Sequence, residues 1–173
     1  MDQKTTIKLI AIDASSTCTG YSSFSVNLLD HTFIHLETNS ISSSKKNIYA
    51  RYEVIHNKFI ELGLYSNYDI VVFENYAFNG NRVTQLAELN GLLKYNYYLN
   101  SVPIEIIAPN TIKKLVTDHG HASKDKVRKS IQEKSELKNV KLKNNDESDS
   151  LAVGYSYIKK TLKELEDMEN KNE

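Results

Sequence analysis

Four acidic residues occupy positions from which their carboxylates could act together. Asp13 and Glu74 each follow a short apolar run that predicts a β-strand, and Asp146 and Asp149 lie three residues apart where the last helix is predicted to begin. Residues three apart on a helix share one face. Each acid alone has an ordinary explanation, as a turn residue, an exposed strand end or a group favoured by the helix dipole. Together they suggest one site, because sites in α/β sheets form at the carboxyl ends of strands.

Carboxylates that converge at one sheet edge repel one another unless cations lie between them. Hard divalent ions are the usual partners, and Mg²⁺ binds one or two carboxylates while keeping water and substrate oxygens. Two such ions about 3.5–4 Å apart support phosphodiester hydrolysis, because they activate a water and stabilise the leaving oxygen. No Ser-His-Asp or Cys-His arrangement gives a comparable signal. The acids therefore predict a site for two Mg²⁺ ions, for which Mn²⁺ is expected to substitute.

Charge is balanced over the whole chain but unevenly distributed along it. The chain has 22 Lys and Arg against 22 Asp and Glu, whereas residues 111–143 carry 10 basic residues against 4 acidic ones. Such a run is either a solvated helix face or a surface that follows nucleic-acid phosphates. Composition alone does not choose between these two interpretations.

Length and composition limit the class of protein. The chain has 173 residues, 40% of them apolar and 25% charged, which predicts one domain (1–173) and excludes disordered, collagen-like and coiled-coil chains. No apolar stretch reaches 18 residues, so no membrane span or membrane partner is predicted. The single cysteine, Cys18, excludes a disulfide framework and predicts a reducing, cytoplasmic location.

Hydrophobic periodicity and turn residues predict three strands followed by alternating helices and strands. The predicted strands are 7–12, 21–29, 32–36, 69–73 and 103–107. The predicted helices are 48–62, about 82–99, 109–118, 123–133 and a last one from about 146. The tail after about 167 is expected to be disordered. This order predicts an α/β fold with a mixed five-stranded sheet flanked by helices.

Four segments resemble the RuvC family of Holliday junction resolvases. They are IAIDASSTCTGYS, VVFENYAFNGN, IIAPNTIKKLVTDHGHASKDKV and NNDESDSLAVGYSY, and in order and spacing they cover nearly the whole chain. The resemblance implies a ribonuclease H-like fold, a homodimer, and Mg²⁺-dependent paired nicking of four-way DNA junctions. Branched DNA is therefore the expected partner.

The resemblance also implies roles for individual residues. Asp13, Glu74, Asp146 and Asp149 match the family's metal-binding acids, and are expected to be catalytic. Lys124 matches a lysine beside the metal site, where a cation offsets charge on the cleaved phosphate.

Further matches concern DNA binding. Lys113 and Lys114 match positions that hold the DNA backbone, and Arg82 is a further candidate for a phosphate contact. Tyr76 and Phe78 lie where the family places an aromatic residue that stacks on bases at the crossover. Which of the two makes that contact stays open, and either could be a core residue instead.

The predicted helix 82–99 matches the family's dimer helix, and its widely spread apolar residues fit a helix packed on its own sheet and on a partner. The alternative is a helix buried within one subunit. A twofold dimer places two sites to cut two symmetric strands. Glu147 is not predicted to be a ligand, because it points about 100° away from Asp146 on a helix.

Three other functions compete with this interpretation. The segment DASSTCTG resembles the first phosphate loop of ATP-binding proteins of the actin and sugar-kinase class, but six glycines in 173 residues leave no second such loop. Another ribonuclease H-like nuclease could act on flaps, RNA or RNA–DNA hybrids. A non-catalytic junction-binding protein could share the fold.

Overall fold

The computed structural model describes residues 4–75 and 83–172, which form a mixed five-stranded sheet with helices on both faces. The strands are β1 (Thr6–Asp13), β2 (Cys18–Asn27), β3 (Thr32–Ser42), β4 (Ile70–Glu74) and β5 (Ile104–Ile107). The helices are α1 (Ile48–Glu61), α2 (Val83–Leu99), α3 (Pro109–Thr117), α4 (Lys124–Gln132) and α5 (Asn145–Asn172). The predicted fold class and element order are confirmed.

The strand order is β3-β2-β1-β4-β5. The first three strands pair antiparallel, whereas β4 runs parallel to β1 and β5 runs parallel to β4. The carboxyl ends of β1, β4 and β5 therefore lie at the same edge of the sheet. No helix among the described residues is long and apolar enough to cross a membrane.

Strand β1 supplies both hydrophobic cores. Leu9 and Ala11 belong to the core under α3, α4 and α5, whereas Ile10 and Ile12 belong to the core under α1 and α2. Successive side chains of a strand point to opposite faces, so a strand covered on both faces is apolar at nearly every position. This burial explains the uninterrupted apolar run before Asp13.

Strand β3 is longer than its apolar residues predict. It continues to Ser42, with residues 37–42 pairing with residues 18–23 of β2. These added positions are largely polar, and their side chains are satisfied by hydrogen bonds, such as that between the hydroxyls of Ser22 and Thr38 at 2.8 Å. An apolar pattern could not reveal this half of the hairpin.

The structure corrects the expectation of a disordered tail, because α5 continues through Asn172. The segment after Asp167 is rich in residues that favour helices. The ring of His31 also lies 3.6 Å from Glu166 and 3.7 Å from Glu169, which ties the tail to the turn between β2 and β3.

Candidate active site

Strands β1 and β4 bring Asp13 and Glu74 to the same edge and face of the sheet. Ile12 pairs in parallel register with Phe73, and each acid is the next residue along its strand. Ile12 and Phe73 both contribute to the core under α1 and α2. Side chains alternate along a strand, so Asp13 and Glu74 point to the opposite face, which α5 covers.

The first turn of α5 is fixed by a buried carboxylate that is not one of the four predicted ligands. Glu147 is fully buried, and its Oε2 accepts a hydrogen bond from the backbone N–H of Lys143 at 2.7 Å. Ser40 on β3 donates to Oε1 at 3.1 Å, and Asn144 caps the helix by accepting from the Glu147 N–H at 2.9 Å. These bonds satisfy backbone donors at the helix start and attach it to the sheet.

A glycine permits α5 to approach the sheet beside Asp13. Gly20 on β2 is the register partner of Asp13, and a Cβ at this position would lie 2.0 Å from the backbone oxygen of Asp146. Only a residue without a side chain fits there. The close approach places Asp146 and Asp149 beside the strand ends that carry the other two acids.

All four predicted acids line one cleft of about 700 Å³. Lys113, Lys124 and Arg128 line it with them, so the cleft carries both charge signs. Among the other predicted residues, Lys114 is exposed on α3 and outside the cleft lining. Tyr76, Phe78 and Arg82 lie outside the described residues.

Burial and mutual repulsion change the proton affinity of the acids. Burial, followed by the charges of Asp149 and Glu74, raises the pKa of Asp13 to about 7. Burial also raises the pKa of Glu74, against the opposing effect of Lys124. The site therefore carries negative charge that the protein neutralises only in part.

Asp149 has two basic neighbours on α4. Nε and Nη2 of Arg128 donate to its two carboxylate oxygens at 3.2 and 3.1 Å, and Nζ of Lys124 donates at 3.3 Å. Burial alone would lower the pKa of Lys124, but the charges of Asp149, Asp13 and Glu74 outweigh it and raise that pKa.

Arg128 lines the cleft but was not predicted as a site residue. In the sequence it is one of ten basic residues in the segment 111–143, and its charge did not distinguish it from the others. The available signal was its spacing, because Arg128 follows Lys124 by four residues and so shares its helix face. Its partner could not be read from the sequence, because the pair forms only when α4 packs beside α5.

The four carboxylates suit a hard divalent cation, because they offer oxygen ligands. Burial and the neighbouring acids raise the pKa of Asp13 against the opposing charge of Lys124, so a bound cation would relieve the repulsion between the acids. Across residues 4–75 and 83–172, however, no group of three His, Cys, Asp or Glu side chains is close enough to hold a metal ion as the side chains stand. The basic groups of Arg128 and Lys124 contact Asp149 in this arrangement.

Comparison with known proteins gives a consistent assignment. The sequence model described as "Crossover junction endodeoxyribonuclease RuvC" matches residues 9–157. A protein of that name from Ehrlichia ruminantium (strain Gardel) is 29% identical over 157 residues, which cover 88% of this chain and 96% of the relative. One from Carboxydothermus hydrogenoformans is 28% identical over 155 residues, covering 87% of this chain and 94% of the relative.

Solved structures share the fold. Thermus thermophilus RuvC, in complex with a Holliday junction substrate, aligns with a TM-score of 0.71 at 19% identity, covering 87% of this chain and 92% of that one. The fowlpox virus resolvase, also with junction DNA, gives 0.57 at 16% identity, covering 90% and 99%. The expected ribonuclease H-like fold is thereby confirmed. Because the family match spans most of its length, the chain belongs to the RuvC family of crossover junction endodeoxyribonucleases.

Proposed function

We propose that this chain is a DNA endonuclease that resolves Holliday junctions and related branched DNA by paired, symmetric nicks. The observation that carries the proposal is the convergence of Asp13, Glu74, Asp146 and Asp149 in one cleft of a RuvC-family chain. The relatives are named crossover junction endodeoxyribonucleases, and two similar structures hold Holliday junction DNA. Family membership favours this function over an ATP-binding one.

The RuvC family consists of metal-dependent nucleases, and we infer that the metal here is Mg²⁺, two ions per site, with Mn²⁺ as a substitute. Asp13, Glu74, Asp146 and Asp149 would hold the ions, because each offers hard oxygen ligands to the same cleft. When bound, the ions supply an activated water and stabilise the leaving 3′ oxygen.

The basic residues would act on the DNA. Lys124 lies with its side chain 72% exposed at the site, and its raised pKa keeps it charged, so we assign it to the cleaved phosphate. Lys113 in the cleft and the exposed Lys114 are proposed to hold the DNA backbone.

The remaining DNA contacts rest on the sequence resemblance. Tyr76 or Phe78 is proposed to stack on bases exposed at the crossover, and Arg82 to contact a phosphate. In the sequence all three lie between Glu74, which ends β4, and Val83, which begins α2.

A homodimer is the proposed assembly, and α2 is the proposed contact. Leu89, Leu93 and Tyr97 of α2 are buried on its own sheet, whereas Tyr95 and Tyr98 are 59% and 71% exposed. Exposed aromatic side chains grouped on one helix are typical of interfaces. A twofold axis through this face would relate two sites and so account for paired nicks.

The test is cleavage of end-labelled four-way junctions, with and without Mg²⁺, alongside flaps and RNA–DNA hybrids. Wild type should give paired symmetric nicks, whereas Asp13→Asn should bind the junction without cutting it. Asp118→Asn is the matched control, because Asp118 is exposed and its left-handed backbone suits asparagine.

The alternatives have their own results in the same experiment. Binding without metal-dependent cutting would establish a non-catalytic junction-binding protein. Preference for flaps or hybrids over the junction would establish a broader nuclease. Equal cutting by wild type and Asp13→Asn would refute the proposed site.

A further inference from the structure

The contact between Arg128 and Asp149 joins a permanently charged group to a carboxylate proposed to hold metal. The guanidinium makes two hydrogen bonds in a fork, one to each oxygen of Asp149, at 3.2 and 3.1 Å. The side chains are only 22% and 13% exposed. Paired hydrogen bonds of this geometry between charged groups are among the stronger polar contacts in proteins.

This contact occupies the carboxylate that a metal ion would need. Both oxygens of Asp149 accept from Arg128, and Oδ2 also accepts from Lys124. A guanidinium does not deprotonate in proteins, so Arg128 stays charged and attracted to the carboxylate of Asp149 at every relevant pH. Arg128 and a divalent cation therefore compete for Asp149.

The cleft identifies the class of partner that could take up Arg128. Arg128 lines it together with Lys113 and Lys124, so three basic groups face the space where DNA is proposed to bind. A phosphate accepts the guanidinium fork as a carboxylate does. A backbone phosphate in the cleft would thus compete with Asp149 for Arg128.

Building on the proposed function, we propose that Arg128 is a positioning residue that holds Asp149 in the metal-free protein and exchanges it for a DNA phosphate when the junction binds. Metal and DNA then increase each other's affinity, because the metal binds Asp149 and the DNA phosphate binds Arg128, and either event breaks the ion pair between them. Such coupling is reciprocal between the two ligands.

The first test measures the binding of Mn²⁺ in the absence of DNA, with the electron paramagnetic resonance signal of the free ion as the readout. Arg128→Gln should bind Mn²⁺ about tenfold more tightly than wild type, because Asp149 is released. Arg128→Lys should fall between the two, since lysine keeps the charge but cannot form the fork. Lys129→Gln is the matched control, because this exposed residue of α4 carries the same charge on another face of the helix.

The outcomes separate this proposal from the proposed function. If Arg128→Gln tightens Mn²⁺ binding no more than Lys129→Gln does, the competition is refuted. Asp149→Asn should weaken Mn²⁺ binding, and if it does while Arg128→Gln changes nothing, the metal site stands and only the role of Arg128 fails. If Asp149→Asn binds Mn²⁺ like wild type, Asp149 is not a metal ligand, so its assignment and the competition with Arg128 both fail, whereas the cleavage assay still decides the proposed function. Circular dichroism and thermal unfolding verify that each variant is folded.

The second test measures binding to a four-way junction in EDTA, where no metal contributes. Asp149→Asn should increase junction affinity about tenfold when Arg128 is present, because the guanidinium becomes available to phosphate. The same change in an Arg128→Gln background should give only the gain of about threefold expected from losing one negative charge. Equal gains in the two backgrounds would overturn the exchange with phosphate.

Discussion

Replacing Gly20 by alanine should disable the active site without altering any of its functional groups. The added Cβ would lie 2.0 Å from the backbone oxygen of Asp146 and 2.5 Å from its carbonyl carbon. Both atoms belong to the backbone, so no side-chain rotation can relieve the overlap. The first turn of α5 must therefore move away from β2.

The size of that movement follows from the distances. Moving the Asp146 oxygen from 2.0 Å to the 3.4 Å at which ordinary contact begins requires a shift of about 1.4 Å. A misplacement of about 1 Å in an active site can lower the rate about 10²-fold. Crowding of this kind also costs about 1–3 kcal/mol of stability. We therefore expect Gly20→Ala to fold and to cut about a hundredfold more slowly.

The assay is single-turnover cleavage of an end-labelled four-way junction in Mg²⁺, with junction binding in EDTA measured alongside. Gly120→Ala is the control, because a Cβ there would meet its nearest atom, the backbone oxygen of Asn110, at an ordinary 3.5 Å. Binding should persist in both variants, because neither change touches the basic residues. Cleavage by folded Gly20→Ala within about threefold of wild type would refute the argument that the position of α5 governs the chemistry.

Three further predictions concern a proton, a buried carboxylate and an interface. Because the pKa of Asp13 is raised from 3.8 to about 7, the metal-free protein should lose up to about 4 kcal/mol of stability as pH rises from 4 to 7. Urea unfolding at several pH values should show this loss in wild type and not in Asp13→Asn. The same dependence of the unfolding free energy on pH in both proteins would contradict the prediction. Glu147→Ala should lower the free energy of unfolding by about 2–4 kcal/mol, because it leaves both the Ser40 hydroxyl and the Lys143 N–H without an acceptor. Glu147→Gln should lower it by less, since glutamine keeps one acceptor oxygen. Melting temperatures equal to that of wild type in both variants would contradict this. Tyr98→Asp should convert a dimer to a monomer in analytical ultracentrifugation, whereas an unchanged mass would exclude this face of α2 as the contact.

The sequence was sufficient to predict which four acids could share one site, and the structure places all four in the lining of one cleft. Asp13 and Glu74 each end an uninterrupted apolar run, which is typical of a strand covered on both faces. The two strands are parallel neighbours, so their carboxyl ends lie at the same edge of the sheet. Asp146 and Asp149 are three residues apart on a helix, so their shared face needs no tertiary information. Local rules thus predicted which acids could converge.

Features that depend on packing between distant segments were not predictable. The fork between Arg128 and Asp149 joins two helices whose relative placement the sequence does not encode locally. The polar half of β3 is held by hydrogen bonds to β2 and to Glu147, so hydrophobic alternation gave no signal for it. The extension of α5 involves His31, more than a hundred residues earlier in the chain.

The distribution of the acids along the chain has a consequence for protein synthesis. Asp13 and Glu74 end β1 and β4 and are synthesised before Asp146 and Asp149, which are carried by α5. A growing chain that has reached residue 140 contains all five described strands but lacks two of the four acids of the proposed site. The proposed four-acid site is therefore complete only once α5 has been synthesised and has packed beside β1 and β4, well after both of those strands have been made.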